Sequence, residues 1–198
     1  MAYKPTERVY RSMSALAALP DAPQYHATGY ASTFDRYVLF EDVEGPVYEQ
    51  IDRHAFDACD FSDVILQFDH QGRVFARTGN GTLEISTDDH GLKIEADLSL
   101  TEGSRELWQE ISCGLITRMS FGFLVADGHF EYETNTNRIA RISKVFDVSA
   151  VSIPANQGTD IEARSLYDGE IKRALSERKA KLLRLNLRTR LDALMYGG

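Results

Sequence analysis

Arg118-Met119-Ser120-Phe121-Gly122-Phe123 lies inside residues 115–126, a run whose reading decides the fold. Its alternation predicts a buried strand. Successive side chains of a strand point to opposite faces, so Met119, Phe121, Phe123 and Val125 share an apolar face. Arg118, Ser120, Gly122 and Leu124 share the other. Glycine inside a strand marks a bulge or a place where a ligand or another backbone comes close. Here Gly122 leaves a space beside the Ser120 hydroxyl. A hydroxyl next to a vacancy and backed by an apolar face suits a nucleophile. The competing reading is a strand serine hydrogen-bonded to a neighbour.

Further strands are expected on both sides of this run, from β-branched and aromatic residues bounded by turn signals. Before it they fall at residues 25–33, 36–40, 47–51, 64–70, 74–77, 83–86 and 92–98. After it they fall at 130–133, 139–143 and 145–153. Gln71-Gly72, Asp88-Asp89-His90-Gly91 and Asp127-Gly128 read as turns. Residues 101–112 read as a helix capped by Thr101 or Ser104, with Leu107, Trp108 and Ile111 inward and Gly114 past its end. Residues 12–19 and 52–59 suggest short helices. The fold class expected is α+β, mainly β: a compact β-barrel-like core with a packed helix and a C-terminal helical arm. The domain reading is an N-terminal arm or leader over residues 1–24, a central domain over 25–165, and a basic amphipathic helical tail over 166–198.

The chain has 198 residues, 43% of them hydrophobic, enough apolar material for a core. No apolar run approaches a membrane span, and no signal peptide is evident, so a cytosolic or particle-enclosed protein is expected. Cys59 and Cys113 stand apart without metal-ligand spacing and read as free thiols. The net charge is −8, yet residues 172–190 hold eight basic side chains and one acid. An acidic body with a basic tail concerns partners more than fold. Few aromatics interleave with the tail's charges, so nucleic acid is not expected, and docking to a protein or self-association is.

A nucleophilic serine needs a base in reach, and the base needs an orienting partner. Of His26, His54, His70, His90 and His129, only His70 ends a strand on an otherwise apolar face. Asp147 lies in Val145-Phe146-Asp147-Val148-Ser149-Ala150-Val151, where a lone carboxylate is costly unless paired. Either it orients the histidine, or it forms a salt bridge with Arg118, Arg141 or another base. A cysteine enzyme built on Cys113 is disfavoured, because that residue falls at a helix end. No cluster has metal-ligand spacing, and no cofactor or metal is expected.

Three motifs follow in order: Gln67-Phe68-Asp69-His70, Arg118 to Phe123, and Asp147-Val148-Ser149-Ala150-Val151-Ser152-Ile153-Pro154-Ala155. With Gly29-Tyr30-Ala31 then Phe34, Ala55-Phe56-Asp57, and Gly91 to Leu98, the chain resembles the caudovirus prohead serine proteases over about residues 25–165. The family often places Asn before the histidine and Asp after it, where this chain has Asp69 and Gln71. The resemblance implies a barrel-like fold related to herpesvirus assemblins and a serine endopeptidase inside the immature prohead of a bacteriophage or prophage, in the host cytoplasm. It implies Ser120 as nucleophile, His70 as base and Asp147 as third member. Oxyanion candidates are the backbone near Phe121 and Gly122, or Arg118 through water. Implied substrates are scaffold or the scaffold-like segment of the major capsid protein, with self-cleavage; portal and shell proteins are further partner candidates. The alternative is a non-catalytic capsid-assembly or scaffold factor with a β-barrel and an oligomerisation arm.

Overall fold

The serine stretch does form a strand, and the chain is built around it. The structure is a computed structural model that describes residues 8–18, 24–42 and 45–152, with Ser176, Ala180 and Arg184 beyond them. In chain order the strands are β1 (Val9–Ala18), β2 (His26–Thr33), β3 (Tyr37–Asp42), β4 (Gly45–Ile51), β5 (Ile65–Phe68), β6 (Gln71–Arg77), β7 (Leu83–Thr87) and β8 (Gly91–Asp97). Helix α1 (Glu102–Ser112) then precedes β9 (Arg118–Glu131) and β10 (Thr136–Val151).

The ten strands run β3-β4-β10-β9-β1-β2-β8-β7, with β5 beside β10 and β6 beside β5. The protein is therefore mainly β with a packed helix, as its sequence suggests. The sheet does not close into a barrel, however; β3 and β7 stand at its two ends. Strand β10 organises the topology. Along one edge it pairs antiparallel with β9 over its whole length. Along the other, its first residues run parallel to β4 and its last run parallel to β5. Irregularities in the β9–β10 register between Ile139 and Asp147 accompany this change of partner.

The alternation in β9 holds: Met119, Phe121, Phe123 and Val125 are fully buried. Phe121 and Phe123 stack with centroids 4.3 Å apart and planes 9° apart. Each buried phenylalanine contributes about 1.5–3 kcal/mol of transfer free energy. Helix α1 starts where its cap is expected, with Thr101 Oγ1 accepting from the Ser104 amide at 3.1 Å. Leu107 and Ile111 face inward. Trp108 is half-buried, donating its indole N–H to the His26 carbonyl at 3.0 Å and meeting Tyr25 edge-on. Past the helix, Gly114 takes φ 76°, the left-handed backbone its position asked for.

Three local expectations are corrected. Residues 12–18 are strand and not the start of a helix: β1 lies between β9 and β2, well inside the sheet. Its Ala and Leu content favours a helix locally, but two flanking strands supply ladder partners along both edges, and tertiary context overrides propensity. Residues 52–59 form successive turns, in which Asp52 Oδ1 accepts from the His54 amide at 2.9 Å instead of capping a helix. Asp127-Gly128 does not reverse the chain; both residues stay inside β9, and the reversal comes at residues 132–135, where Asn135 takes φ 52°. The helical tail over 166–198 lies outside the described residues, save that Ser176, Ala180 and Arg184 are helical and exposed. Among the described residues, no helix is long and apolar enough to cross a membrane.

A buried polar cluster ties β1 to β4 and β10. Glu49, without exposure, accepts from Arg11 Nε at 2.5 Å and Arg11 Nη2 at 3.0 Å, from Asn137 Nδ2 at 2.7 Å, and from the Tyr37 hydroxyl. Desolvation and the Glu49 charge push the Tyr37 phenol well above its ordinary range, so it stays a neutral donor. Breaking a buried ion pair costs more than replacing it whole. Arg11→Met or Glu49→Leu is expected to lose about 3–5 kcal/mol of unfolding free energy in urea, and the double substitution should recover part of that loss.

Candidate active site

The face of β9 opposite the phenylalanines carries the site, and the sheet register assembles it. Ser120 stands directly across from Ser149, and Gly122 directly across from Asp147. Asp147 and Ser149 lie two residues apart on β10 and so share a face. On the far side of β10, Asp147 pairs with Ile65 and Ala150 with Phe68. That register brings the end of β5 alongside Ser149.

His70 enters from the tip of the β5–β6 hairpin. The sequence suggests a strand through residue 70 and a turn at Gln71-Gly72. The reversal instead falls on Asp69 and His70, with Phe68 paired to Gln71. Their φ angles are 46° and 59°. A two-residue hairpin loop with both centres at positive φ is the type I′ turn, which matches strand twist. Asp tolerates that backbone and His is enriched there among non-glycine residues. Asp69 also holds the tip: its amide donates to the Ala150 carbonyl at 3.0 Å, and its carboxylate accepts from the Ser152 amide at 2.9 Å and the Ser152 hydroxyl at 2.8 Å.

From that tip the imidazole spans the other two groups. His70 Nδ1 is 2.5 Å from Asp147 Oδ2, and His70 Nε2 is 2.6 Å from Ser120 Oγ. The carboxylate only accepts, so Nδ1 carries the proton and Nε2 accepts from the serine hydroxyl. Asp147 is fully buried and Ser120 nearly so, while the His70 side chain is 18% exposed. The remaining contacts of Asp147 divide between its oxygens. Ser149 Oγ donates to Oδ2 at 3.2 Å while accepting from the His70 amide at 3.2 Å. Arg8 Nη1 reaches Oδ1 at 3.3 Å. Sequence reasoning singled out neither Ser149 nor Arg8.

The space beside Ser120 turns out to be occupied. A Cβ at Gly122 would lie 2.5 Å from Asp147 Oδ1 and 2.8 Å from Tyr10 Cε1. The bare glycine makes room for the carboxylate and a tyrosine ring. Asp147 contacts the His70 imidazole and a cation together, and that cation is Arg8 in place of Arg118 or Arg141. Phe121 is buried, with ladder partners on both sides in Arg11 and Val148; Gly122 likewise lies between Tyr10 and Asp147. Arg118 opens β9 and is exposed. The other histidines stand elsewhere: His26 faces Asp97, His54 pairs with Asp57, His90 meets Tyr30 edge-on, and His129 is exposed near the far end of β9. Burial pushes the Cys59 thiol up to about 12, and Cys113 is exposed. Among the described residues, no group of His, Cys, Asp or Glu is placed to hold a metal.

A hydroxyl, an imidazole and a buried carboxylate in series make the relay of a serine hydrolase, in which the imidazole can take the hydroxyl proton and the carboxylate can steady the imidazolium. This chain belongs to the caudovirus prohead serine proteases, whose family model matches residues 16–172. That membership places it among the serine proteases of the prohead, with a role in capsid maturation. No curated protein and no solved structure matches the chain.

Gly122→Ala is expected to destabilise the protein by about 1–3 kcal/mol through overpacking, although alanine is otherwise the better strand residue. Urea unfolding of the purified variant beside the parent checks this.

Proposed function

We propose that the chain is a serine endopeptidase that cleaves scaffold, or the scaffold-like segment of the major capsid protein, inside the immature prohead, and that it also cuts itself. Ser120 is the nucleophile, His70 the general base and Asp147 the third member. The observation that carries this reading is the unbroken contact from Ser120 Oγ through His70 to the buried Asp147, at 2.6 Å and 2.5 Å. Family membership supports the substrate class.

In the acylation step, His70 Nε2 takes the hydroxyl proton as Ser120 Oγ bonds to the peptide carbonyl carbon. The electron pair moves to the carbonyl oxygen, and Asp147 balances the imidazolium. Collapse of the intermediate breaks the C–N bond, and the imidazolium proton goes to the departing amine. Water then repeats the sequence: His70 takes its proton, its oxygen bonds to the acyl carbon, the ester bond breaks, and Ser120 regains a proton. Ser149 helps by tethering the His70 backbone to the Asp147 carboxylate, so that the turn and the acid keep one geometry.

The developing oxyanion needs donors. The amides of Phe121 and Gly122 lie between ladder partners on both sides. Among the three candidates, that favours Arg118, two residues from Ser120 on the same strand face, acting directly or through water. Arg118→Ala is expected to lower kcat about 10²- to 10³-fold with the fold intact; steady-state kinetics on a capsid or scaffold peptide checks it.

The test of the whole reading is intact mass over time, beside Ser120→Ala, with capsid and scaffold proteins present. The parent is expected to truncate itself or its partner and to take one fluorophosphonate adduct at Ser120. The variant should do neither. Equal truncation by both chains would assign the cleavage to another nucleophile. Silence from both, without an adduct, would leave the non-catalytic assembly factor as the reading.

A further inference from the structure

We propose that Arg8 is a positioning residue of the site, holding the Asp147 carboxylate turned toward His70; this rests on the catalytic reading of Ser120, His70 and Asp147. The first strand supplies it. Arg8 immediately precedes β1, whose Tyr10 stands across from Gly122 and whose Arg11 stands across from Phe121. Both Arg8 and Tyr10 lie upstream of the stretch matched by the family model, which begins at residue 16.

Asp147 has no contact with water, and a buried charge requires compensation from the protein. Oδ2 is engaged by His70 and Ser149. Those partners leave Oδ1, which faces the guanidinium of Arg8 at 3.3 Å. His70 carries a charge only when protonated, so among the described residues Arg8 is the cation that offsets the Asp147 charge while the imidazole is neutral and ready to act as a base. The guanidinium is itself held in place. Its Cζ lies 4.0 Å from the centroid of the Phe146 ring, and its Nη1 reaches the Tyr10 hydroxyl at 3.5 Å. The Tyr10 ring stands 4.3 Å from the His70 ring, tilted by 58°.

Gly122 completes the arrangement. A Cβ there would lie 3.2 Å from Arg8 Cδ as well as against Asp147 and Tyr10. The bare backbone thus admits the acid, the arginine stem and the tyrosine ring at one point. With Oδ1 anchored to Arg8, rotation about the carboxylate bond is hindered and Oδ2 stays on Nδ1. That keeps Nε2 in the tautomer that accepts the Ser120 proton. The Arg8 side chain is 39% exposed, so its replacement leaves the apolar core untouched.

The experiment measures the rate of Ser120 modification by a fluorophosphonate in the full-length chain, with urea unfolding midpoints and kcat and KM on a capsid peptide. Arg8→Gln, which keeps hydrogen-bond donors and loses the charge, is expected to slow modification and lower kcat on the order of ten- to a hundredfold. KM should stay near its parental value, and Arg8→Lys should recover part of the rate. The unfolding midpoint should fall, because Asp147 loses a partner for its buried charge, while the variant stays folded without urea, where the rates are read. Parental rates in Arg8→Gln would overturn the proposal. So would losses in both variants that match the fraction unfolded without urea, since Arg8 would then only hold β1 in place. A parent that takes no adduct at Ser120 would sink the catalytic reading itself, and this inference with it.

Discussion

A carboxylate shut away from water must be solvated by the protein around it, and Asp147 sets that demand at the centre of the sheet. Hydroxyl, imidazole and guanidinium answer it, each from a different segment: Ser149 on β10 itself, His70 from the β5–β6 tip, and Arg8 before β1. The cost of leaving such a charge unpaired is large enough to fix the relative placement of all three. Strand pairing supplies that placement. β10 can present Asp147 to the β5–β6 tip only because its partner along one edge changes from β4 to β5 partway along.

The serine strand was legible because its pattern is strong. Four apolar side chains share one face, against Arg118, Ser120, Gly122 and Leu124 on the other, and no competing period fits. His70 and Asp147 could be singled out because each breaks an apolar setting that would otherwise exclude it. What escaped was whatever depended on cross-strand register. Nothing local to Gly122 says that its space belongs to a residue 25 positions later, opposite it on β10. Nothing local to Ser149 separates a tethering hydroxyl from an ordinary strand serine. The hairpin tip was placed two residues late because Gly72 is the stronger turn former in isolation, whereas Asp69 is secured by Ser152, far along the chain.

The first strand shows the same limit at a larger scale. Alanine and leucine between residues 15 and 19 argue for helix, and only the two waiting strand edges argue otherwise. The same pairing explains why residues expected in an N-terminal arm or leader reach the site at all. β1 lies against the serine strand itself, so its side chains emerge beside Gly122. The expected barrel-like core is met only loosely, for a different reason. Strand count and alternation constrain how many strands share a core, but closure depends on which edges meet, and β3 and β7 end the sheet unjoined to each other.

The order of the strands along the chain also bears on synthesis. Of the four residues, a ribosome releases Arg8 first, His70 later, then Ser120, and Asp147 last; the Arg8–Asp147 contact joins residues 139 positions apart. Until β10 has emerged, the strand that carries Ser120 lacks one of its two neighbours and the His70 imidazole lacks the Asp147 carboxylate. Domains fold as units once their segments are available, and contacts this distant in sequence form late. On the proposed catalytic reading, hydrolysis by this chain thus waits until β10 has been translated, cleavage of its own nascent segments included.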